Sequence, residues 1–303
     1  MKLKHISHLI TGSVMELFGV MADGKVVNSY ELTNKRGAKL KVINYGATVT
    51  SLKIPLKSGE MVDVVLGFDT LENYINSFDL ESAPYLGATV GRYAGRINNA
   101  TFNLNGEIIH LDKNNNGHSL HGGKDNFSKK VWEVKNVNEG CSPSITFGYL
   151  SPANEGNYPG DLSVELTYTL SENNELIIEY NAQTTEDTVL NLTVNSHKML
   201  ETTTENIPTG RVLNLENNAF DFNQPKPCPS KIDNTFVIEK ENELAASLFN
   251  KKNNLRMSVY TNQPGVHIYV GGNFFNAIKG KENADYHSLS GICFETQNFP
   301  DAP

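Results

Sequence analysis

His121 and Glu295 are the residues of this sequence best suited to moving protons. His121 stands in Ser119-Leu120-His121-Gly122-Gly123, where two consecutive glycines permit a tight backbone turn that can aim an imidazole into a cleft. Taken alone, the same pattern also describes a histidine on a surface turn. Glu295 lies in Gly291-Ile292-Cys293-Phe294-Glu295-Thr296-Gln297. In a strand, Ile292 and Phe294 share one face, and Cys293 and Glu295 the other. A carboxylate beside apolar neighbours has a raised pKa, which suits a general base. Spacing by itself is equally served by a solvent-facing strand glutamate. Arg96 on the same terms reads as a surface ion-pair partner, and Asp233 as the residue that opens a turn before Phe236. A site that acts on a small polar ligand needs hydrogen-bond partners and groups that exchange protons near neutral pH, and histidine and carboxylate supply both.

The elements that must position these groups are strands. Short alternating runs rich in β-branched and aromatic residues recur between Gly, Asn, Asp and Pro clusters, at Lys39–Ile43, Thr48–Ile54, Leu162–Leu170, Leu176–Tyr180, Met257–Thr261 and Val266–Val270. Asn105-Gly106 and Asn173-Asn174 read as hairpin turns beside such runs, and the helix candidate is the short Asp69–Ile75. Strands with one apolar face must pack face to face or close into a barrel, so the expectation is an all-β, large antiparallel β-sandwich. No repeat, low-complexity tract or linker divides the 303 residues, so they read as a single domain with a weakly defined segment at residues 1–17. The formal charge of −8 is spread without a basic block, which argues against nucleic acid as a partner. The N-terminal apolar run is broken by His8, Thr11, Gly12 and Ser13, so neither a signal peptide nor a membrane span is expected. Cys141, Cys228 and Cys293 have no metal-ligand or redox spacing and read as ordinary thiols of a cytoplasmic protein.

From about Phe18 to Pro303, the stretches INYGATVTSLKIP, VVLGFDTLENY, YLGATVGRYAGRI, SLHGG, NEGNYPGDL, ENIPTG, DNTFV, TNQPGVHIY and FETQNFPDAP resemble, in order, the motifs of the aldose 1-epimerase (galactose mutarotase) family. The resemblance implies the galactose mutarotase-like supersandwich. It implies Glu295 as catalytic base and His121 as a catalytic-site histidine near the sugar ring oxygen. Arg96, in AGRI, and Asp233, in DNTF, match residues that hold sugar hydroxyls, and His267 takes a substrate-binding position where a glutamine is common. Gly95 likewise replaces an asparagine often found before that arginine. The implied reaction opens the ring of a free hexose such as galactose or glucose and recloses it as the other anomer. Every step is a proton transfer, so neither a metal nor an organic cofactor is expected.

One part of the family pattern is missing. In the family, a start resembling Asn191-Leu192-Thr193 leads into a strand carrying the general-acid histidine, and the IPTG turn follows considerably later; here Ile207-Pro208-Thr209-Gly210 arrives early. Either Asn195 occupies the histidine slot, with His197 on the same strand face as a substitute, or the acid-bearing strand is deleted after Thr193. Deletion keeps the distance to Pro208 and Thr209 natural. The chain also ends at Pro303, where family members continue, which reads as a C-terminal truncation. Two functions therefore compete: an aldose 1-epimerase with a compromised acid, acting as a monomer or weak homodimer, and a non-catalytic carbohydrate-binding protein on the same scaffold.

Overall fold

The computed structural model describes residues 9–10, 13–80, 83–191, 198–215, 218–222, 225–238, 244–271 and 277–303. Its first six strands are β1 (Leu9–Ile10), β2 (Ser13–Val20), β3 (Val26–Thr33), β4 (Lys39–Ile43), β5 (Thr48–Pro55) and β6 (Met61–Asp63). They pair antiparallel with their sequence neighbours in one sheet. Short pieces follow: helix α1 (Leu71–Ser77), β7 (Arg96–Ile97), the hairpin of β8 (Thr101–Leu104) and β9 (Glu107–His110), and β10 (Ser119–Leu120), which pairs with β7. The Asn105-Gly106 turn joins β8 to β9 with both residues at positive φ, 54° and 88°, as a two-residue hairpin turn requires.

A second antiparallel sheet holds β11 (Glu133–Asn138), β12 (Ser144–Ser151), β13 (Leu162–Leu170) and β14 (Leu176–Thr184). In β13 the alternate residues Leu162, Val164, Leu166, Tyr168 and Leu170 are buried. They meet Tyr30, Leu32, Leu40 and Val42 of the first sheet in one apolar cluster, so the two sheets pack face to face as the one-sided patterning demands. Further along come β15 (Lys198–Thr202), β16 (Pro208–Leu213), β17 (Asp233–Val237), the separate hairpin of β18 (Leu244–Asn250) and β19 (Leu255–Tyr260), β20 (Gly265–Val270) and β21 (Ile292–Gln297). A third antiparallel sheet runs β16-β15-β17-β20-β21. The fold is the expected antiparallel all-β sandwich.

The expected strands are present with ends shifted by a few residues, and the helix begins at Leu71 rather than Asp69. Thr70 is the reason: its hydroxyl accepts the Asn73 N–H at 3.2 Å and caps the helix, while Asp69 accepts the distant Glu282 N–H at 2.6 Å. Among the described residues no helix is long and apolar enough to cross a membrane.

The 92–98 backbone is held by side chains remote in sequence. Asn191, 1% exposed, exchanges backbone hydrogen bonds with Arg92 and Ala94, while its amide group donates to the carbonyls of Ala94 and Asn298 and accepts the Asn298 N–H. Asn191→Ala would leave buried polar backbone groups unpaired, and we expect a loss of about 1–3 kcal/mol in a denaturant titration. An unchanged midpoint would show that this junction carries no stability.

Candidate active site

Asp233 on β17, His267 on β20 and Glu295 on β21 lie on three adjacent strands of the third sheet. His267 pairs directly with Glu295 on one side and with Thr235 on the other. Directly opposite residues in antiparallel strands project to the same face, so Asp233, Thr235, His267 and Glu295 share one side of the sheet. Phe236, Val266, Ile268, Ile292 and Phe294 point the other way and fill an apolar cluster. Hydrophobic alternation thus selects which face is free for polar chemistry.

On that face His267 Nε2 lies 2.8 Å from Asp233 Oδ1 and its Nδ1 lies 3.0 Å from Thr235 Oγ1. The other Asp233 oxygen accepts the side-chain amide of Asn206 at 2.9 Å, from the turn between β15 and β16. A hydroxyl, imidazole and carboxylate in line suggest a hydrolase triad by composition, but Thr235 is 2% exposed and cannot attack a substrate.

Arg96 and His121 come from the pairing of β7 with β10. Arg96 Nε donates to Asn115 Oδ1 at 3.2 Å. His121 follows β10 with φ 55°, and Gly122 and Gly123 continue the left-handed run. A Cβ on Gly122 would come within 2.1 Å of the Gly91 carbonyl oxygen, so this turn demands glycine at that position. The Gly95 N–H donates to His121 Nδ1 at 3.3 Å, which places the proton of the neutral ring on Nε2. The ring packs edge-on against Tyr85, centroids 5.0 Å apart.

The electrostatics tie these residues into one site. Burial, with the positive charges of Arg96 and His267, drives the His121 pKa down to about 3, against a weaker pull from Asp233. Burial and the Asp233 charge raise the Glu295 pKa, opposed by His267 and Arg96. Burial acts to lower the His267 pKa, yet the hydrogen bond the ring donates to Asp233 and the charges of Glu295 and Asp233 outweigh it, and the net shift is upward. Burial would raise Asp233, but the His267 hydrogen bond and the His267 and Arg96 charges prevail and its pKa falls. Burial lowers Arg96, against the opposing charges of Asp233 and Glu295. Two neighbouring carboxylates are thus pushed in opposite directions.

The five residues singled out from the sequence, His121, Glu295, Arg96, Asp233 and His267, are brought together. Asp233 opens a strand and not a turn, because its backbone pairs with Tyr269 on β20. Arg96 is half-buried beside Asn115 instead of serving a surface ion pair. Cys141, Cys228 and Cys293 are free thiols as expected, and Cys293 stands beside Glu295 on the same strand face. Asn195 and His197 lie outside the described residues. Asn206, Thr235, Asn115 and Tyr85 escape a reading of the sequence, since each acts through a partner far along the chain. Among the described residues no group of three or more His, Cys, Asp or Glu side chains could hold a metal ion.

The aldose 1-epimerase family model matches residues 28–196 and 191–303. The chain belongs to the aldose 1-epimerase family. Its relatives include galactose mutarotase of Homo sapiens, 34% identical over 94% of this chain and 90% of that protein, and aldose 1-epimerase of Haemophilus influenzae, 30% identical over 93% and 89%. A solved aldose epimerase homologue from C. elegans superposes with a TM-score of 0.81 at 28% identity, covering 90% of each chain. Galactose 1-epimerase from Lactobacillus acidophilus, at 24% identity and TM-score 0.80 over 95% of this chain and 90% of that one, has the same fold. The alignment with the human mutarotase runs over 318 positions, more than the 303 residues of this chain, so that epimerase relative carries residues without a counterpart here. The family match falls into two segments that overlap at residues 191–196.

His121 is expected to stay neutral, with its proton on Nε2, from mildly acid to alkaline pH. Nitrogen-detected NMR of the imidazoles checks this, and a His121 ring that titrates near the ordinary histidine value of about 6.5 would contradict the assignment.

Proposed function

We propose that this protein interconverts the α and β anomers of free hexoses such as galactose or glucose. The observation that carries the reading is the Glu295 carboxylate, raised in pKa by burial and set on the one sheet face that also presents His267 and Asp233. A raised carboxylate is matched to a weakly acidic hydroxyl proton better than an ordinary one. Glu295 removes the proton of the anomeric hydroxyl, its O–H electron pair becomes the second bond of the aldehyde, and the bond from the anomeric carbon to the ring oxygen breaks. His121, neutral and with Nε2 carrying its proton, donates a hydrogen bond to the ring oxygen. Arg96 and Asp233 hold sugar hydroxyls, Arg96 as donor and Asp233 as acceptor. Rotation of the open aldehyde and reclosure give the other anomer.

The site draws on residues from Arg96 to Glu295, which supports reading the chain as one domain. The early Ile207-Pro208-Thr209-Gly210 turn favours the second reading, a carbohydrate-binding protein that has lost the family acid and does no chemistry. Loss of a general acid costs about 10²- to 10⁴-fold in rate.

Polarimetry on a freshly dissolved α-anomer separates the two. A mutarotase accelerates the change in rotation above the buffer rate, and Glu295→Gln lowers kcat/KM by about 10²- to 10⁴-fold. If the wild-type chain binds hexose by calorimetry while rotation changes only at the buffer rate, the binding reading holds and the catalytic one falls.

A further inference from the structure

The oxygen that loses a proton in anomer exchange and the oxygen that gains one are bonded to the same carbon. Base and acid must therefore reach that carbon from neighbouring positions. The residue directly opposite Glu295 on the adjacent strand is His267, and side chains so paired have Cβ atoms about 4.5–5.5 Å apart on one face.

Hydrogen-bond partners distinguish His267 from the other histidines near the site. His121 and His118 each accept a backbone N–H on Nδ1, from Gly95 at 3.3 Å and from Asn99 at 3.0 Å, so neither ring can take a second proton without losing that bond. The partners of His267 are a carboxylate and a hydroxyl, both able to accept. Its ring can carry protons on both nitrogens with every bond intact. Resting on the mutarotase reading above, we propose that His267 is the general acid of this chain, a catalytic residue that protonates the ring oxygen in place of the family histidine.

The fully buried Thr235 marks the Nδ1 side as interior, and the half-exposed Asp233 marks the Nε2 side as the one nearer solvent. Nε2–H is thus the proton a sugar oxygen can reach. When it turns from Asp233 Oδ1, Asn206 still holds the other carboxylate oxygen and keeps Asp233 in place. As Glu295 takes the anomeric proton, the electron pair of the breaking ring bond goes to the ring oxygen, which receives the proton of Nε2. Reclosure reverses both transfers: the ring hydroxyl returns its proton to His267, and Glu295 returns its own to the anomeric oxygen. The charged groups facing His267 are Asp233 on β17, Glu295 on β21 and Arg96 on β7; the two carboxylates outweigh the guanidinium and favour the imidazolium.

The sign of the pH dependence follows. Activity rises as Glu295 deprotonates and falls as pH climbs through the raised pKa of His267. In polarimetric pH profiles of the full chain, we expect His267→Gln to lower kcat by about 10²- to 10⁴-fold with little change in KM, to abolish the alkaline limb, and to regain part of the rate with added imidazole. His197→Gln is expected to keep both the rate and the limb. A wild-type chain no faster than buffer overturns the mutarotase reading, and this assignment with it. An active wild type whose His267→Gln form keeps its rate and alkaline limb overturns the assignment alone, as does loss of that limb in His197→Gln. Should His267→Gln fail to fold, NMR of the wild-type ring decides: a His267 ring that titrates above the ordinary histidine value of about 6.5 supports the assignment, and one that titrates at or below it refutes it.

Discussion

The backbone of residues 92–98 has almost no sheet of its own, and the C-terminal segment is what fixes it. The Tyr93 hydroxyl donates to the Phe299 carbonyl at 3.0 Å and accepts the Ala302 N–H at 3.1 Å. The Asp301 N–H donates to the Arg96 carbonyl at 2.9 Å, and Asp301 Oδ1 accepts the Asn98 N–H at 2.8 Å. Asn191 closes the third side through Ala94 and Asn298. Each such bond contributes only about 0.5–1.5 kcal/mol net, but leaving one unmade in a buried setting costs more, so the junction is specified as a unit. It locks the strand that ends in Glu295 against the loop that carries Arg96 and Gly95, and Gly95 in turn fixes the His121 tautomer.

Around that junction the site is an exercise in holding charges of both signs at close quarters. Asp233 is kept ionised by His267, Arg96 and Asn206, while Glu295 is raised by burial and by Asp233 itself. His121 is kept neutral by burial and by the two cations. One imidazole is thus suited to donating a hydrogen bond and the other to carrying charge, a division of roles created by environment and not by residue type.

A good part of this was legible in the sequence. The period-two burial of β13 and the Asn105-Gly106 turn follow from local rules that need no partner. The paired glycines after His121 permitted a tight turn, and the φ values of 55°, 85° and 91° at residues 121–123 show that it is left-handed. The alternation of Ile292 and Phe294 with Cys293 and Glu295 assigned each side chain to its face. The helix boundary was displaced because Asp69 and Thr70 compete as caps and a contact with Glu282, far along the chain, decides between them.

The sequence by itself determined the all-β class, the family, and which residue types stand in the motifs, since periodicity and motif order are properties of the chain read in line. Tertiary structure alone decided that Asp233 lies in a strand, that Arg96 is half-buried, and that Asn206 and Thr235 belong to the site. It also decided which histidine is neutral and which is disposed to charge. These are consequences of burial and of partners brought together across sheets, and a pKa depends on the distance to such partners, which no local pattern encodes.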